Sequence, residues 1–317
     1  MNYSYVAVDA ILLSGPTASG KSAWALALAE RLPLEIVSID SAQVYRGFDI
    51  GAAKPDAATR ARVPHHLLDL RAPHESFSAG ECVAAALDAI AAIRARGRLP
   101  LLVGGTMLYF NSLVRGIARL PSADPALRAA IDAEAAERGW PAMHAELAKV
   151  DPVAAARIHP NDPQRIQRAL EVQRATGVPI SVWQRDTKPR HALQFARFAL
   201  VPEDRGRLHA NIAARWQAML DAGFVEEVRA LRALPDLPAD ATSLRAVGYR
   251  QLWGHLAGEY DLSQASTLAI AATRQLAKRQ ITWINADPGW RRLDPDADDA
   301  RSHWFRVVAD VWQPTGR

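Results

Sequence analysis

The chain has 317 residues, 49% of them hydrophobic and 23% charged, which is typical of a folded protein with one or two domains and excludes a disordered chain. Cys82 is the only cysteine, so a disulfide framework and a cysteine zinc site are excluded, and a reducing, cytoplasmic location is expected. The net charge of +4 permits a polyanionic partner, and the lack of any run of about 20 apolar residues predicts no membrane partner.

The first third of the sequence alternates short apolar runs with helical patterns. Apolar runs at 10–13, 34–39 and 101–103 predict buried strands, and helical periodicity follows the first run (24–32) and precedes the third (79–96). Strands that alternate with helices predict a parallel sheet with helices on both faces. The expected fold class is therefore α/β.

The middle of the chain has a different character. Residues 118–190 are rich in Ala, Arg and Pro and show helical patterns without a strand, which predicts a helical insertion domain. A strand at 194–201 is expected to return to the core, and 205–285 are expected to be helical, with Ser263 as an N-cap and Asp287-Pro288 as a stop. The predicted domains are a catalytic core of 1–117 plus 191–317 and an insertion of 118–190.

A glycine-rich motif lies between the first predicted strand and the first predicted helix. It matches the phosphate-binding pattern G-x-x-x-x-G-K-[ST] with Gly15, Pro16, Thr17, Ala18, Ser19, Gly20, Lys21 and Ser22. The glycines let backbone amides turn towards an anion, and the helix N-terminus adds its positive dipole end. Lys21 would add a point charge, and Ser22 an oxygen ligand for Mg²⁺. The motif predicts a P-loop NTPase-like core with a phosphate or diphosphate site, but it does not identify the compound.

Two polar residues follow the other predicted strands. Asp40 comes after the second strand, and Thr106 follows Gly104-Gly105 after the third. In open α/β sheets the ligand crevice lies outside the carboxyl ends of the strands, so both side chains are expected to face the ligand. Asp40 could orient a nucleophile or accept its proton, and Thr106 could donate to a phosphate oxygen. A helix N-cap is the alternative role for each residue.

Taken together, the motifs resemble the tRNA dimethylallyltransferase family. The resemblance rests on seven ordered blocks, at 15–22 (GPTASGKS), 40–55 (DSAQVYRGFDIGAAKP), 63–69 (VPHHLLD), 104–110 (GGTMLYF), 161–172 (NDPQRIQRALEV), 245–251 (RAVGYRQ) and 274–283 (RQLAKRQITW). Two departures stand out: Ala246 where cysteine is more usual, and Asn285 near a position often held by arginine. The zinc-finger extension of eukaryotic relatives is absent, which implies the bacterial type.

The resemblance implies the chemistry. The P-loop would hold the diphosphate of dimethylallyl diphosphate while N6 of adenosine 37, just 3′ of the anticodon, attacks the allylic carbon. Lys21, the loop amides and a Ser22-bound Mg²⁺ would stabilise the departing diphosphate. Thr106 would bond the released oxygen, and Asp40 would orient the amine and take its proton. The adenosine must flip out of the anticodon loop to enter the crevice.

The resemblance also implies the surface that contacts the anticodon stem-loop of tRNA, with the enzyme acting as a monomer. The segment that reads the flipped base is Asp40, Ser41, Ala42 and Gln43, together with Thr106. Further implied contacts are Gln164, Arg165, Ile166, Gln167 and Arg168; Arg245, Ala246, Val247, Gly248, Tyr249 and Arg250; and Lys278, Arg279, Gln280, Ile281, Thr282, Trp283, Ile284 and Asn285. Arg128 is carried over on position alone. From the sequence itself, the face that bears Arg165 and Arg168 could equally be a solvated helix surface.

Other interpretations remain open at this stage. His65-His66 with Asp69 is expected to be structural and not a metal site, because no further ligand cluster accompanies it. A P-loop small-molecule kinase would place ATP in the loop and use Asp40 to activate a hydroxyl. A non-catalytic RNA-binding protein with a degenerate loop is a third reading, although the loop, the acid and the hydroxyl are all present. The residues after Trp290 give no prediction.

Overall fold

The parallel α/β sheet predicted from the sequence is present, and the carboxyl ends of its strands lie along one edge. The computed structural model describes residues 8–185, 187–189 and 191–312, and in these it has a six-stranded sheet in the order β3-β2-β4-β1-β5-β6 with all paired strands parallel. The strands are β1 (Ala10–Ser14), β2 (Leu34–Ile39), β3 (His65–His66), β4 (Leu99–Gly104), β5 (Phe195–Leu200) and β6 (Arg291–Leu293).

The strand register decides where the functional loops emerge. Ser14 of β1 and Ile39 of β2 both lie opposite Gly104 of β4. The segments that begin at Gly15, Asp40 and Gly105 therefore leave adjacent strands at the same level. Every residue of β1, β2 and β4 is buried, as expected for the centre of a parallel sheet covered on both faces.

Helices account for most of the remaining chain. Up to the insertion they are α1 (Lys21–Ala29), α2 (Ala57–Arg62), α3 (Ala79–Ala95) and α4 (Met107–Arg115). In the insertion they are α5 (Pro125–Arg138), α6 (Trp140–Val150), α7 (Pro152–Ala155), α8 (Pro163–Thr176) and α9 (Ile180–Arg185). After it come α10 (Arg205–Asp221), α11 (Phe224–Arg232), α12 (Tyr249–Leu256), α13 (Leu262–Asn285) and α14 (Ala300–Val311), with a 3-10 turn at Thr242–Arg245. Among the helices described, none is long and apolar enough to cross a bilayer.

The helix boundaries follow local capping chemistry. Ser78 and Glu81 form a reciprocal capping box at the start of α3, and the Asp162 carboxylate accepts from the Arg165 amide at the start of α8, as the Asn-Asp-Pro sequence predicts. The prediction that Ser263 caps α13 is wrong. Asp261 caps it instead by accepting from the Gln264 amide, since aspartate is the better acceptor and lies two residues earlier.

The chain divides into two units, one formed by 1–111 with 192–317 and the other by 112–191. The ends of the predicted domain ranges, at 1–7, 190 and 313–317, lie outside the described residues. The second unit is entirely helical where it is described and has its own core around Ile131, Met143, Leu147 and Leu170. The α/β class with a helical insertion is therefore confirmed.

The described part of the first unit contains two large apolar cores and a smaller cluster, formed by Leu208, Ile212 and Ala277, between α10 and α13. One packs α1 and α14 against the sheet, with the Trp24 and Trp304 rings 5.6 Å apart between their centroids. The other packs the turns after β2 against α11 and α12, where Tyr249 stacks on Phe48 at 4.2 Å and meets Phe224 edge-on at 4.9 Å. This second core fixes the chain that follows Asp40.

Candidate active site

The phosphate-binding loop connects β1 to α1, as the sequence predicts. A Cβ on Gly15 would lie 2.6 Å from Ser19 Oγ and 2.7 Å from the Leu200 carbonyl oxygen, so the first loop position must be glycine. Ser19 Oγ is buried and has no hydrogen-bond partner among the described residues. A buried, unpartnered hydroxyl inside a phosphate loop is suited to donate to an anion.

Lys21 begins α1 and folds back onto its own loop. Its Nζ donates to the Pro16 carbonyl at 3.1 Å, and the side chain is half-buried. Burial and, to a smaller extent, repulsion from Arg215 lower the Lys21 pKa to about 8, although the charge of Asp40 acts in the opposite direction. Two cations and one carboxylate therefore face one another at the end of the sheet.

Arg215 is a site residue that the sequence analysis missed. It lies on α10, where burial lowers its pKa and the charge of Asp40 opposes that effect. No protein acceptor bonds or pairs with its guanidinium within the described residues. The one available signal was its position beside the buried stripe of Leu208, Ile212 and Trp216 on α10. An arginine bordering such a stripe points partly into the protein.

Asp40 and Thr106 are brought together, although the two residues are far apart in sequence. Asp40 Oδ1 accepts from the amides of Ala42 at 2.8 Å and Gln43 at 3.3 Å, in a segment of turns and not at the start of a helix. Thr106 Oγ1 accepts from the Ser41 amide at 3.0 Å. Thr106 Oγ1 also donates to Ser41 Oγ at 3.4 Å, a long bond that an oxygen of a bound ligand could replace. Asp40 Oδ2 receives no hydrogen bond from the described residues.

A cavity of about 150 Å³ lies beside these groups. Its polar lining includes Lys21, Ser22 and Asp40, and its apolar lining includes Leu26 and Ile36. Groups that can bind an anion and apolar side chains therefore line the same cavity. This combination fits a ligand with a charged head and a small hydrocarbon group.

Hydrogen bonds to two half-buried side chains, Gln43 and Glu227, hold the segment after Asp40 in place. Gln43 accepts from Ser38 Oγ at 2.7 Å and donates to the carbonyls of Ala52 and Ala53 at 3.0 and 3.2 Å. Glu227 accepts from the amides of Ile50 and Gly51 at 2.6 and 3.2 Å and from the Tyr249 hydroxyl at 2.6 Å.

The residues of the predicted RNA-contacting block at 245–250 differ in exposure. Tyr249 is fully buried, its hydroxyl accepts from the Ala52 amide at 3.1 Å, and burial together with Glu227 raises its pKa. Gly248 is also buried, and Ala246 and Val247 are half-buried. Arg245 and Arg250 are exposed and have no partner among the described residues. The two arginines are the members of this block that are placed to meet a polyanion directly.

The block on α13 is divided in the same way. Lys278, Arg279, Thr282, Trp283 and Asn285 are exposed, Ile281 is half-buried, and Gln280 and Ile284 are buried. The two cations have no acidic partner in the described structure, and Trp283 is 41% exposed. Asn285 accepts from Arg292 at 2.9 Å, so a guanidinium lies beside the position that departs from the family pattern.

In the helical unit, two predicted contact residues share one carboxylate. Glu171 is buried and accepts from Arg128 at 3.0 Å and from Arg168 at 2.6 Å. Arg168 also donates to the Pro121 carbonyl at 2.7 Å. These bonds give both arginines a structural role in this unit.

The other predicted contacts of α8 differ in exposure. Gln164 and Arg165 are exposed, Gln167 donates to Asp132 at 2.6 Å, and Ile166 is in the core. Contact of any of these residues with tRNA stays a prediction.

Both histidines of the predicted pair have partners within the protein. His65 Nδ1 lies 2.7 Å from the Val63 carbonyl, and His66 Nε2 lies 2.6 Å from Glu35. Asp69 accepts from Lys54 at 2.6 Å and from Arg60 at 2.8 Å. Among the described residues, no group of three or more His, Cys, Asp or Glu side chains is placed to hold a metal.

Comparison with known proteins agrees with this arrangement. The IPP transferase family model matches residues 43–287. The tRNA dimethylallyltransferase of Methylibium petroleiphilum is 60% identical over 95% of this chain and 93% of its own, and that of Stenotrophomonas maltophilia strain K279a is 57% identical over 92% and 94%. The solved tRNA isopentenylpyrophosphate transferase of Bacillus halodurans is 35% identical over 95% of both chains, with a TM-score of 0.68. The chain belongs to the tRNA dimethylallyltransferase, or IPP transferase, family.

Proposed function

We propose that this protein transfers a dimethylallyl group from dimethylallyl diphosphate to N6 of adenosine 37 of tRNA and releases diphosphate. The observation that carries the proposal is the meeting of three segments at one sheet edge: the P-loop with Lys21, the Asp40 turn, and Thr106 bonded to Ser41. An anion site, a free carboxylate oxygen and a hydroxyl proton are the groups that this displacement needs. We further propose that it acts in the cytoplasm as a monomer.

The chemistry divides between the two sides of the site. The N6 lone pair forms a bond to C1 of the dimethylallyl group while the C1–O bond to diphosphate breaks. Lys21, Arg215 and the amides of the loop offset the charge that develops on the leaving group. The Thr106 hydroxyl donates a hydrogen bond to the oxygen that leaves and keeps its proton, and the N6 proton passes to the Asp40 oxygen that no described group occupies.

The site fits a Mg²⁺ ion that would be bound partly by the phosphate oxygens of dimethylallyl diphosphate, and not by protein ligands alone. Mg²⁺ is usually bound by one or two protein oxygens with phosphate oxygens and water, and Ser22 and Asp40 offer such oxygens on the wall of the same cavity. When bound, it would neutralise charge on the diphosphate. Ser22 is the residue we expect to hold it.

The hydrocarbon part of the donor is expected to occupy the apolar end of the cavity, against Leu26 and Ile36. On the acceptor side, we propose that tRNA meets the exposed cations Arg245, Arg250 and Arg279. Phosphate contacts of this kind position the RNA, and the Asp40–Gln43 segment would then read the flipped adenine.

The reaction is tested by mass spectrometry of unmodified tRNA after incubation with the enzyme, Mg²⁺ and dimethylallyl diphosphate. The expected result is a mass gain of one dimethylallyl group on adenosine 37, with diphosphate released only when both substrates are present. Phosphate transfer from ATP to a small acceptor, without tRNA modification, would instead establish a kinase. Binding of tRNA without any mass gain would leave an RNA-binding protein.

The role of Asp40 is tested by Asp40→Ala with Asp310→Asn as the control, because Asp310 is exposed on α14, away from the strand ends. We expect turnover of Asp40→Ala to fall by a factor of about 10² to 10⁴, the usual contribution of a positioned general base. Its affinity for tRNA should change little, because the carboxylate acts on one amine. Full turnover in Asp40→Ala would reject the assignment.

A further inference from the structure

Gln280 connects the phosphate loop to the end of β4. It comes from α13, near the end of the chain, and only 7% of the residue is exposed. Its Oε1 accepts from the Thr17 amide at 2.9 Å, and its Nε2 donates to the Gly105 carbonyl at 2.9 Å. One side-chain amide therefore bonds the loop that follows β1 and the turn that follows β4.

The turn after β4 is shaped to receive this side chain. A Cβ on Gly105 would lie 2.4 Å from Gln280 Nε2 and would displace the amide. Glycine at this position therefore permits the bond to form. The next residue is Thr106, whose hydroxyl accepts from the Ser41 amide. Gln280 is thus connected to the Asp40 turn through Gly105 and Thr106.

Gln280 also determines which loop amides a ligand can use. The Thr17 amide is already donated to Oε1, so an anion in the loop must bind the amides that follow it. Without this bond, the Thr17 amide would lose its acceptor, and the loop would lose its only described hydrogen bond to α13, keeping only the packing of Ala18 beside Ala277. A loop that can turn away from its binding geometry binds its ligand more weakly, because the competent state is less populated.

We propose that Gln280 is a positioning residue that holds the diphosphate loop at a fixed distance from Thr106 and the Asp40 turn. This proposal rests on the proposed function and deepens it. It assigns Gln280 an inward role, whereas its exposed neighbours Arg279 and Trp283 stay predicted RNA contacts. Both bonding partners are backbone groups, so the requirement is for an uncharged amide that donates and accepts at once.

The test is Gln280→Met, which keeps the length of the side chain but neither hydrogen bond. The control is Gln264→Met, the same substitution at an exposed position of α13. Affinity for inorganic diphosphate with Mg²⁺ is measured by calorimetry without tRNA, and affinity for tRNA is measured without the donor. The KM for dimethylallyl diphosphate and kcat complete the set.

We expect Gln280→Met to weaken diphosphate binding and raise the KM for the donor about tenfold, the effect of losing one or two net hydrogen bonds. Its tRNA affinity should stay within about twofold of the control. Unchanged diphosphate affinity, or a loss confined to tRNA affinity, would overturn the proposal. Diphosphate binding is measured without tRNA, so this result stands even if the native enzyme fails to modify tRNA.

A second variant covers the case in which Gln280→Met does not fold. Gly105→Ala leaves Gln280 in place but fills the space its Nε2 occupies, so it should also weaken diphosphate binding. Unchanged diphosphate affinity in Gly105→Ala would overturn the proposal.

Discussion

Lys21 is held in the folded protein at an energetic cost, and replacing it should stabilise the unliganded enzyme. Its pKa is lowered from 10.5 to about 8, because burial and Arg215 both disfavour the charged form. Lys21→Met keeps the hydrocarbon stem and removes the charge. The Pro16 carbonyl keeps a donor in this variant, since the Ser19 amide also bonds it at 3.3 Å.

The size of the effect follows from the pKa shift. A lowering from 10.5 to about 8 corresponds to roughly 3.5 kcal/mol at about 1.4 kcal/mol for each pKa unit. Lys21 is only half-buried, so solvent screening reduces this to about 1–3 kcal/mol. Below pH 8 the folded and unfolded chains both carry the proton, and the full cost applies. Between pH 8 and 10.5 the unfolded chain binds more protons than the folded one, so the cost disappears as pH rises.

The assay is thermal unfolding of both proteins at pH 7 and at pH 10, with and without diphosphate. At pH 7 the midpoint of Lys21→Met should exceed that of the native enzyme by a few degrees, and the difference should shrink at pH 10. Diphosphate should stabilise the native enzyme and have little effect on the variant. A less stable variant at pH 7, or a difference that does not change with pH, would refute the reasoning.

Two further predictions concern groups that support the site. Tyr249→Phe should lower the free energy of unfolding by about 1–3 kcal/mol, because the Ala52 amide loses its acceptor and Glu227 loses one of its donors. Denaturant titration measures this, and an unchanged midpoint would contradict it. Arg165→Ala should reduce by about one the slope of the logarithm of the tRNA binding constant against the logarithm of salt concentration, and it should leave thermal stability unchanged. Arg168→Ala should instead lower stability, because the Glu171 carboxylate and the Pro121 carbonyl lose a donor. Identical effects of the two arginine variants would count against this distinction.

The strands that were predicted from the sequence are those whose burial requires a visible run of apolar residues. β1, β2 and β4 are buried on both faces, so they appear as short, mostly apolar runs, interrupted in β2 by Glu35 and Ser38. β3 has two residues and β6 has three, two of them arginines, so neither leaves a periodic pattern. These edge strands are defined by their pairing with β2 and β5, which no local pattern contains.

The site was predictable where function depends on backbone position and less so where it depends on packing. The P-loop, Asp40 and Thr106 follow strands directly, so their meeting point follows from the sheet topology. Arg215 and Gln280 come from helices, and their direction is set by how α10 and α13 dock. Gln280 does lie on a stripe with Ala277 and Ile284, both buried, which is the pattern that distinguishes it from its exposed neighbours.

The charges at the strand ends are arranged for a leaving group and not only for binding. Asp40 is the carboxylate whose charge favours the protonated forms of Lys21 and Arg215, but burial lowers the pKa of each cation by more than Asp40 raises it. A diphosphate supplies the missing negative charge, which favours binding. As the C1–O bond breaks, the charge on the diphosphate grows, so its attraction to both cations grows with it. When Asp40 takes the N6 proton in the proposed reaction, it loses its own charge, and Lys21 and Arg215 then act on the departing diphosphate without competition.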